Sequence, residues 1–161
     1  MTEHTHLERN GDRTMTLTRT IAGPVEIVYR AWTEPELLKR WWAPRSLGVT
    51  MYECRNDVRV GGSYRYVFGK SSAEKMAFTG VFREVVPNER IVMTQVFEPM
   101  PDAGEVVITT TFREEDGKTT VTSTSEWPSK EALEGALATG MDRGMKISFE
   151  QADELVASLS A

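Results

Sequence analysis

The chain has 161 residues, 19 of them lysine or arginine and 24 aspartate or glutamate, for a net charge of −5. One domain of this length buries about two thirds of the surface its unfolded chain exposes, so no disulfide or metal staple is required. The acidic balance argues against nucleic acid, which needs a clustered basic face. Cys54, the single cysteine, excludes an internal disulfide and fits a reducing compartment.

Residues 1–13, MTEHTHLERNGDR, are polar and are expected to form a disordered tail ahead of one domain spanning 14–161. They lack the apolar core of a signal peptide. Since no run of about 18 apolar residues follows anywhere in the chain, a cytoplasmic protein with no membrane span is expected. TMTLTRTI, 14–21, alternates Met15, Leu17 and Arg19 with threonines, the period of a strand. Pro24 suits the first position of a helix, and Val25, Val28 and Trp32 follow at helical spacing. Thr33 is expected to cap a second short helix whose apolar side is Leu37, Leu38, Trp41 and Trp42, with Pro44 stopping it.

From Leu47 to Trp127 six strands are expected, LGVTMYECR, SYRYVFG, KMAFTGVFREVV, RIVMTQVFE, EVVITTTFREE and KTTVTSTSEW. The breaks between them are short, so the run reads as an antiparallel meander. Gly61–Gly62 is expected to make a tight turn or bulge, since no Lys-Ser/Thr follows and no helix begins there to cradle a phosphate. Asp116-Gly117 suits a type I′ hairpin turn. Ser129 is expected to cap one long helix reaching Leu159. Its apolar stripe is Met141, Met145, Ser148, Ala152, Leu155 and Leu159. The fold expected is α+β: a curved antiparallel sheet of about seven strands, two short helices after the first strand, and the long C-terminal helix laid across the concave face.

Several chemistries lack their residues. The only histidines, His4 and His6, sit in the tail, where neither supplies the rigid base of a Ser-His-Asp or Cys-His system. The pair has no fixed third and fourth metal ligands. Cys54, mid-strand, reads as an inert thiol. No catalytic residue, metal ligand or cofactor is assigned. What remains is apolar. Tyr64, Tyr66 and Phe68 share one strand face, which is a core layer, a ligand wall or a solvated outer face. Gly140, Gly144 and Ser148 form a small-residue line beside Met141 and Met145. That line implies either close strand packing or open space beneath the helix. Glu53, Asp57 and Glu84 lie in or beside strands. One of them turned into an apolar cavity would act as an acid or base, whereas outward ones are simply solvated.

Four stretches carry a resemblance: VYRAWTEPELLKRWWAP, ECRNDVRVGGSYRYVF, GVFREVVPNERIVMT and TGMDRGMKISFEQADELVASL. In this order they resemble successive signatures of the AHSA1-type branch of the SRPBCC (START-like, Bet v 1-like) superfamily, the branch named after the activator of the heat-shock-protein-90 ATPase. The resemblance runs from about Thr14 to Leu159. It implies the helix-grip fold and a deep apolar cavity for a lipid-, polyketide- or aromatic-like ligand. By position, it puts the cavity wall at Trp42, Tyr64, Tyr66, Phe68, Phe78, Met93, Met141 and Met145, with no family-wide catalytic residue. The expected partner is thus an apolar small molecule. Alternatives are a cyclase-, dehydratase- or hydrolase-type enzyme in the same cavity and a co-chaperone-like interaction module, a homodimer also being compatible. The chaperone alternative draws no support from the sequence, because the activator's further chaperone-binding domain has no room here.

Overall fold

A computed structural model describes residues 5–160. Eight strands form one antiparallel sheet: β1 (His6–Arg9), β2 (Thr14–Ile21), β3 (Thr50–Asn56), β4 (Ser63–Gly69), β5 (Lys75–Val86), β6 (Arg90–Phe97), β7 (Val106–Glu115) and β8 (Lys118–Glu126). Their order across the sheet is β1-β2-β8-β7-β6-β5-β4-β3. Seven strands were expected. The eighth is β1, which pairs with β2 in register His6↔Thr18 to Arg9↔Met15. The disordered tail expected over 1–13 is therefore corrected from His6 to Arg9, where Leu7 lies opposite the fully buried Leu17. His4 lies outside the described residues.

The turns follow from local chemistry. Asp116 and Gly117 both have positive φ, 53° and 77°, as a type I′ turn demands. Gly61 has φ of 84°, and a side chain on Gly62 would run into the Asp57 carbonyl, so this glycine pair is the tight turn expected of it. Register shifts at Met51/Glu53 and Phe82/Glu84 mark bulges that bend the sheet around its inner face.

Helix α1 (Val25–Thr33) starts after Pro24, and its first N–H donates to the Glu114 carboxylate at 2.7 Å. Helix α2 (Pro35–Leu38) is a single turn. Thr33 does not cap it, because its hydroxyl donates back to the Tyr29 carbonyl at 2.8 Å. The expected long C-terminal helix is two helices, α3 (Lys130–Ala138) and α4 (Met141–Ser160). Ser129 caps α3, its hydroxyl accepting the Ala132 N–H. Gly140 then takes φ of 84° and breaks the run.

Register fixes which side chains face inward. Leu17, Arg19 and Ile21 of β2 lie opposite Ser123, Val121 and Thr119 of β8, while Phe112 of β7 pairs with Val121. Helix α4 packs over this end of the sheet, against β2 and α1. Leu17, Ile21, Val28, Ala31, Val121, Ala152 and Val156 are all sealed there. A buried ion pair ties the layers: Arg19 donates to Asp153 of α4 from Nε at 3.2 Å and Nη2 at 3.0 Å.

Candidate functional site

The adjacent tryptophans part company. After α2 the chain coils through Trp41 and Trp42 into a short 3₁₀ turn at Arg45–Leu47, ended by Gly48 with φ of 79°. Trp41 turns toward the helices. Its indole N–H donates to the Ala31 carbonyl at 2.7 Å, and its ring lies 4.4 Å from that of Trp32 and 6.2 Å from that of Phe149. With Tyr29 and Phe112 these rings form a cluster, buried at Trp41, Phe112 and Phe149 and half-buried at Tyr29 and Trp32. Trp41 thus anchors its segment to α1 and α4.

Trp42 turns the other way. Its ring centroid lies 5.5 Å from Tyr66, 5.1 Å from Phe68 and 6.0 Å from Phe78. Phe68 stacks on Phe78 at 5.1 Å, and Phe78 meets Phe97 at 5.4 Å. Tyr64 continues the row, 4.7 Å from Tyr66 and 5.6 Å from Phe82. Five of the eight expected wall residues, Trp42, Tyr64, Tyr66, Phe68 and Phe78, thus form one aromatic cluster on the inner face. Met93 belongs to the same face, opposite Phe82 on β5 and Ile108 on β7. Met145 packs against the core from α4, and Met141 is half-buried at the start of that helix.

The strap that follows α2 lies against Gly144 and Ser148 of the small-residue line. Gly144 faces Pro44 and Leu47, and a Cβ there would sit 3.7 Å and 4.0 Å from their side chains. Ser148 donates to the Trp42 carbonyl at 2.7 Å. One turn on, the Gln151 amide donates to the Trp41 and Ala43 carbonyls, both at 2.7 Å, while its oxygen accepts the Arg45 N–H at 3.1 Å. Gly140 lies in the interhelical break and is no part of the line. Helix α4 therefore holds down the strap that carries Trp42. Replacing Gln151 with leucine strands two buried carbonyls and an N–H. The expected loss is about 2–3 kcal/mol, read from thermal or urea unfolding; a loss below ~0.5 kcal/mol would mean the strap is held elsewhere.

The hydroxyls of Tyr64 and Tyr66 already have protein partners. Tyr64 donates to the Thr94 carbonyl, its ring lying over Gly80, where any side chain would collide. Tyr66 donates to Asn56 Oδ1 at 3.0 Å. Burial pushes both phenols up from their ordinary range. Burial likewise pushes the Cys54 thiol up to about 12, which keeps it protonated and inert at neutral pH. Glu53, Asp57 and Glu84 are 41%, 51% and 45% exposed, and each pairs with an arginine: Arg55 and Arg65, Arg59, and Arg90 respectively. None of the three is the enclosed acid or base that cavity catalysis would use. Among the described residues, no group of three or more His, Cys, Asp or Glu side chains could hold a metal ion, and no helix is long and apolar enough to cross a membrane.

The inner face is not closed along its whole length. Leu17 and Val121 are fully buried. Farther along the same face, Met93, Gln95, Phe97, Ile108 and Ser123 stay half-buried, as do Phe68, Phe78 and Trp42. The sequence reading missed Phe82, Phe97, Gln95 and Gln151. Alternation in RIVMTQVFE places Gln95 and Phe97 beside Met93, and Gln151 is a polar residue on the buried side of α4. Both signals were there to be read.

Comparison with known proteins places this geometry. Residues 22–157 match the sequence model of the family described as "Activator of Hsp90 ATPase homolog 1-like protein". A Rhodobacter sphaeroides protein of solved structure superposes with a TM-score of 0.87 at 22% identity, covering 96% of this chain and 99% of its own. A Chromobacterium violaceum protein is 30% identical, with a TM-score of 0.76 over 89% of this chain and 96% of its own. An AHSA1-like protein from Aeromonas hydrophila gives 0.70 at 23% identity, over 90% and 94%. No curated protein matches.

Proposed function

The chain belongs to the Activator of Hsp90 ATPase homolog 1-like family, the AHSA1-type branch of the SRPBCC superfamily, and from that premise we propose that it binds an apolar small molecule on the open part of its inner sheet face. One observation carries the reading. Aromatic and thioether side chains that a sealed core would bury completely, Trp42, Phe68, Phe78, Met93 and Phe97, remain half-buried on the inner side of the sheet. Apolar surface left this way is a ready site for an apolar guest, each Å² withdrawn from water contributing about 25 cal/mol. Trp42 forms one wall, Phe68 and Phe78 the floor, and the methionines adapt to an irregular outline.

The test is ligand-dependent stabilisation. A neutral apolar dye such as Nile red should bind and raise the Tm by mass action, about 2.7 kcal/mol of stabilisation at a hundred times Kd. Phe78→Ala should weaken that binding about tenfold by removing floor area, while the protein stays folded. No shift across a broad panel of lipids and polyketides, with no dye uptake, would overturn the proposal.

A further inference from the structure

Building on the binding reading, we infer that the ligand is electrically neutral and carries an uncharged oxygen function, a ketone, ester or alcohol, that pairs with the Gln95 carboxamide. Gln95 follows Met93 and precedes Phe97 on the inner face of β6, and it lies opposite the buried Val106 of β7. On its β5 side the inner-face residues are Phe78, Gly80 and Phe82. A carboxamide amid such neighbours offers two donors and an acceptor with no charge. The other inward amides are engaged, Gln151 by three backbone groups and Asn56 by the Tyr66 hydroxyl and the Thr33 carbonyl.

Charge is arranged to the same effect. On β3 to β6 the arginines and glutamates pair on the opposite side of the strands: Glu53 with Arg55 and Arg65, Arg65 with Glu98, Arg83 with Glu105, and Arg90 with Glu84. Inward charges lie at the sealed end and are committed there, Arg19 to Asp153 and Glu114 to the Val25 N–H. The other polar strand groups near the open part are the hydroxyls of Thr110 and Ser123, themselves 3.5 Å apart and uncharged. Among the described strand residues, then, a carboxylate or ammonium entering here loses water and meets no unpaired counter-charge, whereas a neutral carbonyl or hydroxyl meets an amide. A bare hydrocarbon leaves that amide unpaired, which is how a buried polar group discriminates.

The experiment uses the full chain at pH 7.5 and four ten-carbon probes, decan-2-one, decanoate, decylammonium and decane, each titrated by displacement of Nile red. Decan-2-one should bind at least about tenfold tighter than either ion. Gln95→Leu should lower its affinity about three- to tenfold, tighten decane binding because no amide is then left unpaired, and exceed any effect of Ser123→Ala, with the urea unfolding midpoint as the control for the fold. Gln95→Met serves where leucine disturbs the strand. If Nile red itself does not bind, the binding reading fails; if it binds but decan-2-one does not displace it, the neutral-ligand inference is overturned. If decanoate or decylammonium binds as well as the ketone, or both Gln95 variants keep full ketone affinity, binding stands and the neutral-ligand inference is overturned.

Discussion

Asp153→Ala will cost about 3–5 kcal/mol of stability, because it leaves a buried guanidinium without its counter-charge. Arg19 stands on the inner face of β2 with only 5% of its side chain exposed, and Asp153 is 18% exposed. Two of its nitrogens go to Asp153, and Nη1 donates to Thr5 Oγ1 at 2.9 Å. Asp153 also accepts the Ala22 N–H at 3.3 Å, so it holds β2, the start of the α1 connection and α4 together. The intact pair adds little net stability, since desolvation of two charges offsets most of their attraction; breaking it exposes the whole penalty. At this chain length the loss corresponds to a fall in Tm of roughly 10 °C. Removing both charges, as Arg19→Met with Asp153→Leu, should recover most of it. A single variant costing under ~1 kcal/mol, or a double variant worse than the single, would show that the guanidinium finds water and the pair is no interlock.

Much of this architecture was legible in the sequence because its signals are local. The β2 strand was read at its full extent from the alternation of TMTLTRTI, and the six later strands follow from breaks at Gly61–Gly62 and Asp116-Gly117. The order of helices and strands then admits few packings, and the family resemblance names the same one. What escaped depends on tertiary partners. His6–Arg9 is polar and short, and becomes a strand only because β2 offers it an edge. Gly140 reads as a tolerated helical glycine until the turn beyond Ala138 puts it at positive φ. The Gly144–Ser148 line was ambiguous between a void and a close approach. Chain between Trp41 and Leu47, distant in sequence, comes back to fill it.

The same ambiguity governed the site. Spacing alone put Tyr64, Tyr66 and Phe68 on one face, yet it was silent on whether the phenols were free. Thr94 and Asn56, 30 and 10 residues away, occupy them. In the proposed site, orientation of a ligand would fall to groups not already engaged, and the inner face of β6 offers Gln95 for that role. A polar residue inside an apolar alternation, as Gln95 is between Met93 and Phe97, is the feature that sequence reading should have weighed more heavily.

Trp41→Ala and Trp42→Ala should give opposite outcomes although the two residues are neighbours. Trp41 is 3% exposed, contacts the rings of Trp32 and Phe149, and spends its indole N–H on Ala31. Its truncation opens a cavity among three elements and leaves the Ala31 carbonyl without that donor, at a cost of about 3–5 kcal/mol. Nile red binding, corrected for the unfolded fraction, should change little. Trp42 is half-buried and touches the open cluster from one side, so its truncation should cost only about 1–2 kcal/mol. It removes a wall of the proposed site, however, and the affinity for Nile red should fall about tenfold. Chemical denaturation and dye titration on the two variants separate the roles. If both lose stability equally and neither changes affinity, the pair is one continuous core, and the ligand does not sit against Trp42.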